Sequence, residues 1–135
     1  MRKSILYSLF KLGGIPSKIY AGLQQEGIVL ADQGLRASVT YKKFRAPGRA
    51  HSFRQSAFTG SLVVTEKRFA AFMFAKRMLN VPLGSTKISD LDISVPNQGL
   101  LIISFDVAKF HDNWSGSVTY RFHTDKANMF LERIS

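Results

Sequence analysis

The side chains best suited to proton or metal chemistry are three histidines and nine carboxylates, and they are scattered along the chain. His51, His111 and His123 fall in three different segments. The adjacent pair His111-Asp112 offers two ligand types, but a metal-dependent hydrolase needs further His and Asp ligands from separate elements. His123 lies on the polar side of its segment near Asp125, a pattern that suits a surface contact. The absence of cysteine removes disulfides, thiolate metal sites and a thiol nucleophile. No phosphate-binding glycine loop, nucleophile elbow or dinucleotide fingerprint occurs. These residues predict a non-enzymatic chain with no catalytic residue, no cofactor and no metal site.

Basic side chains carry the stronger signal. The net charge is +10, and residues 1–80 hold fourteen Lys/Arg against three acids, Glu26, Asp32 and Glu66. The run Lys42–Arg54 places Lys42, Lys43, Arg45, Arg49 and Arg54 within thirteen residues, and Arg36 precedes it. No acid occurs from Gln33 to Thr65, so nothing nearby in sequence neutralises them. Such asymmetry points to an anionic partner. The expected ligand-binding residues are Arg36, Lys42, Lys43, Arg45, Arg49 and Arg54, and the expected partners are anionic phospholipid headgroups or an acidic protein surface. Tyr41, Phe44 and Phe53 interleave with the charges and also allow RNA, through stacking and phosphate contacts. No RNA-recognition sequence of the Lys/Arg-Gly-Phe type supports that reading, which ranks behind a protein-interaction or structural domain.

The elements that must hold these residues read mainly as strands. From Gln33, Leu35, Ala37, Val39 and Tyr41 alternate with Arg36, Ser38, Thr40 and Lys42, the pattern of a strand with one wet face. Pro47-Gly48 marks a turn, so Lys42–Arg54 is expected to be an exposed hairpin loop. Leu62-Val63-Val64 and Phe69–Phe74 form two apolar arms around a tight turn at Thr65-Glu66-Lys67-Arg68. Val81-Pro82-Leu83 is expected to begin another strand, with its proline at an edge or a strand-start position. Ser89–Val95, Leu101–Val107 and Val118–Phe122 supply three more alternating runs. The period then changes from two to 3.6, with Ala127, Phe130, Leu131 and Ile134 on one helical face and Thr124 or Asp125 placed to cap it. At the other end, residues 4–12 and a segment from Pro16 to about Gln25 read as two short helices, a basic anchor for a membrane interface or a brace on the barrel. The apolar run Ile5–Phe10 is too short for an export signal, and no window approaches the roughly 20 apolar residues of a membrane span. A cytoplasmic protein, peripheral at a membrane, is therefore expected.

The segment GSLVVTEKRFAAFMF (Gly60–Phe74), a strand ending in Thr-acid-x-Arg followed at once by an aromatic strand, resembles the middle hairpin of the GRAM and bacterial pleckstrin-homology-like (PH-like) families. The resemblance spans about residues 26–135, with residues 1–25 as a helical arm. It implies a mainly β fold, a small antiparallel β-barrel or sandwich of six or seven strands with a C-terminal capping α-helix. It also implies a binding module for lipid headgroups or proteins. Where classical PH domains carry a Trp in the last helix this chain has Phe130, and its one Trp, Trp114, precedes the last strand.

Overall fold

A computed structural model describes residues 15–134; the helix expected over residues 4–12 lies outside them. Pro16 closes the approach to α1 (Ser17–Gln25), and its carbonyl accepts the first helical bond from Tyr20 N–H at 2.9 Å. Seven strands follow: β1 (Ile28–Ala46), β2 (Arg49–Thr65), β3 (Arg68–Met73), β4 (Lys76–Pro82), β5 (Asp92–Asn97), β6 (Leu100–Asp106) and β7 (Ser115–His123). Short 3-10 turns at Thr86–Asp90 and Val107–Lys109 flank β5 and β6, and α2 (Ala127–Ile134) follows β7.

All seven strands join one antiparallel sheet in the order β4-β3-β2-β1-β7-β6-β5. Its pivot is β1, which pairs with β2 along its whole length and with β7 from Ala37 to Arg45. One face of the sheet feeds a single core that includes Leu62, Phe69, Leu101 and Phe122, together with Phe130 of α2. A sheet whose two ends bury side chains against each other must curl, so the arrangement is an open barrel stopped by a helix. Its edge strands among the described residues, β4 and β5, carry Pro82 and Pro96, residues that cannot donate to a further strand.

The continuous apolar run of β2 and β3 has a direct cause. Leu62, Val64, Phe69 and Ala71 face the barrel core, while Val63, Ala70 and Phe72 face outward and are covered by Ile15 and Leu23. Both faces of these strands are buried, so alternation disappears. Residues 17–25 thus behave as a brace, the second of the two readings of that segment. The Thr65-Glu66-Lys67-Arg68 turn is locked by the residues that mark it. Thr65 Oγ1 accepts from the backbone N–H of Lys67 (3.1 Å) and Arg68 (3.0 Å) and donates to Glu26 Oε1 (3.0 Å). Arg68 clamps the same carboxylate at 2.8 Å through Nε and 2.7 Å through Nη2, and reaches Asn80 at 3.0 Å. The Arg68 hydrogen bond holds the Glu26 carboxyl below its ordinary pKa of 4.5.

α2 buries Ala127, Phe130 and Ile134, with Leu131 half-buried, which is the face its spacing predicts. Thr124, fully buried, accepts from Lys126 N–H at 3.1 Å and donates to buried Asp32 at 2.8 Å, while Lys126 Nζ reaches the Ala31 carbonyl at 2.9 Å. The start of α2 is therefore fastened to β1. Three boundaries differ from the sequence reading. β1 begins at Ile28 rather than Gln33, because a register shift between Asp32 and Leu35, with Gly34 at φ 71°, interrupts its alternation. β4 runs from Lys76 and ends at Pro82 instead of starting near it, since the β3–β4 turn takes only Phe74-Ala75. The front of the Ser89–Val95 run is a 3-10 turn, and β5 starts at Asp92.

Candidate functional site

The basic stretch is a paired ribbon rather than a loop. β1 and β2 stay in register through Phe44↔His51, Arg45↔Ala50 and Ala46↔Arg49, leaving only Pro47-Gly48 as the turn. Pro47 cannot take a positive φ, so the reversal falls on Gly48 at φ 74°. β3 pairs with β2 only from Gly60 to Val64, and the ribbon projects beyond it. Arg36, Lys42, Lys43, Arg45, Arg49 and Arg54 are all exposed, as expected, but they do not form one cluster. Cross-strand partners share a face. Lys42 lies opposite Phe53 and Arg36 opposite Thr59 on the outer face, whereas Arg54 lies opposite Tyr41 on the inner face.

A kink at Lys43 decides what the ribbon tip does. Lys43 has φ 50°, and Gly116 of β7 (φ 96°) lies so close that a Cβ there would sit 2.4 Å from the Lys43 carbonyl oxygen. The alternation breaks at this contact and Phe44 turns inward, where it is 2% exposed. Its ring meets Tyr41 at 4.9 Å and the edge of Trp114 at 5.7 Å, and His51 stacks on it at 6.1 Å. Nε2 of His51 is enclosed there with no hydrogen-bond partner among the described residues. Arg49, the first residue after the turn, folds its guanidinium over Tyr41 (5.9 Å) and Phe44 (5.7 Å).

Beneath Arg49 is a cavity of about 530 Å³ between the ribbon, β4 and the turn that follows β6. Phe105, Val107, Val118 and Tyr120 contribute apolar lining, and Tyr41, Phe44, Phe110 and Trp114 add aromatic surface. Burial pushes the Tyr120 phenol well above its ordinary pKa, so it stays protonated and can donate. Among the described residues, the charged lining side chains are Arg49, Lys76 and Arg77, all exposed, with His111 also in the lining, and no carboxylate belongs to it. Near the cavity the two 3-10 turns are tied together. Lys87 Nζ donates to the Lys109 carbonyl and sits 5.3 Å from the Phe110 ring, and Lys109 pairs with Asp90 at 3.7 Å.

Of the six residues expected from sequence, Arg49 alone belongs to the cavity lining. Lys76, Arg77 and the aromatic wall escape a reading based on one charged run, because they arrive from other strands. The available signals were the Lys76-Arg77 pair at the end of an aromatic strand and the position of Trp114 just before the last one. His111 and Asp112 are both exposed, and His111 stacks on Trp114 at 4.0 Å. Among the described residues no three His, Asp or Glu side chains gather as a metal-binding group would require. No described helix is long and apolar enough to cross a membrane. No protein-family model matches the chain, and no curated protein matches it.

Proposed function

We propose that this chain is a non-enzymatic binding module of the PH-like kind that docks on an anionic phospholipid surface with the end carrying the β1–β2 and β3–β4 hairpins. The observation that carries this reading is the meeting of cations from both hairpins: Arg49 from one and Lys76 and Arg77 from the other border the same cavity. Lys42, Lys43 and Arg45 extend the charge along the ribbon. Phe53 and Phe74, 61% and 45% exposed, belong to the same two hairpins, an unusual exposure for large aromatics that suits an interface where one end of a side chain leaves water. Each Lys or Arg near an anionic leaflet contributes about 1 kcal/mol, and the attraction is screened over about 8 Å at physiological salt. The seven-strand sheet closed by a C-terminal helix agrees with the PH-like resemblance. Residues that would do covalent chemistry have no place in this reading.

The test is co-sedimentation with phosphatidylserine-containing and pure phosphatidylcholine vesicles at low and physiological salt, beside single-stranded RNA gel shifts. The anionic vesicles should retain the protein, less so as salt rises, and the neutral ones should not. The triple variant Lys42→Glu, Lys43→Glu, Arg45→Glu should lose sedimentation while keeping its melting temperature, because exposed charges seldom move stability by more than about 0.5 kcal/mol. Undiminished sedimentation of the triple variant would remove the ribbon from the surface. Binding to neither vesicle would leave a protein partner, and a salt-sensitive shift of RNA alone would replace lipid with nucleic acid.

A further inference from the structure

The cavity beneath Arg49 has a chemistry that surface docking does not require. We infer that it is a binding site for a single-chain anionic amphiphile, a long-chain carboxylate whose head lies between Arg49, Lys76 and Arg77 and whose chain enters the apolar interior. Three observations converge on this occupant. The volume, about 530 Å³, falls within the roughly 300–1,000 Å³ of small-molecule sites and far exceeds what a counter-ion needs. The interior is lined by Val107, Val118 and Phe105, with a protonated phenol on Tyr120 as a buried hydrogen-bond donor. Among the described residues the charged lining is of one sign, with three cations and no carboxylate.

A free phosphate would satisfy the cations and waste the interior, and an uncharged hydrocarbon would do the reverse. A carboxylate with a long chain satisfies both, and the fork of Arg49 can grip its head in a bidentate fashion. The bed of Arg49 on Tyr41 and Phe44 holds the guanidinium in place before the ligand arrives, which reduces the ordering cost of binding.

Trp114 is the only tryptophan and belongs to the cavity lining, so the site carries its own reporter. Dodecanoate, titrated below its micelle concentration into the full chain, should change Trp114 emission saturably, with calorimetry giving one site per chain. Decanoate, two methylenes shorter, should bind about tenfold more weakly, the loss expected for withdrawing those methylenes from an apolar site. Acetate should leave the emission unchanged, and dodecanol should bind about tenfold or more weakly than dodecanoate for want of the charge-assisted contact. Arg49→Gln should weaken dodecanoate by a similar factor and leave dodecanol as it was. Met78→Trp, which enlarges a half-buried side chain of the lining, should block both; its melting curve is read alongside, and Arg49→Gln supplies the decision if it unfolds. Absence of saturable binding by the unmodified chain overturns the inference, as does equal binding of dodecanol and dodecanoate or indifference to Arg49→Gln. The titration contains no bilayer and the sedimentation assay no free amphiphile, so failure of one assay leaves the other reading standing.

Discussion

At the scale of single residues, one contact fastens the β2–β3 turn and a second shapes the ribbon on which both binding readings depend. The first is the Glu26–Thr65–Arg68 group, which joins the end of α1 to the β2–β3 turn. Replacing Arg68 by Gln removes a two-pronged grip on a part-buried carboxylate, and chemical denaturation at neutral pH should register a loss of about 1–2 kcal/mol. The pH dependence has a definite sign. The folded-state pKa of Glu26 lies below its ordinary 4.5, so its contribution is complete above that value and is lost as pH falls through the lowered one. The stability gap between the unmodified chain and Arg68→Gln should therefore narrow on acidification, and a gap that stays constant down to acid unfolding would contradict the assignment. The second contact is Gly116 against Lys43. Gly116→Ala places a side chain on a left-handed backbone, costing about 1–3 kcal/mol, and also drives a methyl into the Lys42 and Lys43 carbonyls. Thermal melting should fall accordingly, and near-UV dichroism should report the displaced Phe44–Trp114 pair.

At the scale of elements, the wet face of β1, the hydrophobic faces of β6 and β7 and the helical period of α2 could all be read directly, because each buries one face only and leaves a clean alternation or stripe. The ribbon was harder. Lys42–Arg54 looks like a loop since its outer positions are charged, its Pro-Gly turn is conspicuous and no hydrophobic alternation marks the arm beyond Tyr41. Backbone pairing holds it, and pairing leaves no compositional trace. The inward turn of Phe44 was hidden for a related reason: it depends on Gly116, a residue 72 positions away in sequence. The covering of Val63, Ala70 and Phe72 by α1 could be suspected from their unbroken apolar run, but the choice between brace and anchor needed the packing. Leu23, 3% exposed against those residues, gives a measure of it. Leu23→Ala should cost about 2–4 kcal/mol by urea denaturation, whereas a helix held off the barrel would show almost no change.

At the scale of the whole molecule, charge and closure are divided between different parts of the chain. Residues 1–80 carry a net +11 and residues 81–135 a net −1. The positive charge is thus concentrated in the part containing α1 and β1 to β4, whereas β5 to β7 and α2 complete the core. The hinge between these roles is β1, and its double pairing has a consequence in time. Its hairpin with β2 closes around two residues, but its ladder with β7 and the Asp32–Thr124 bond must join groups up to 92 positions apart. Closing large loops is slow because their entropy is lost before any contact compensates for it. In pulsed hydrogen exchange during refolding, amides bonded across β1 and β2 should become protected before those bonded across β1 and β7. During synthesis the order is imposed by the ribosome: until Thr124 and α2 have emerged, Leu62, Phe69 and Leu101 have no lid. A nascent chain halted before Thr124 should therefore be a client for chaperones, while one halted beyond Ile134 should not.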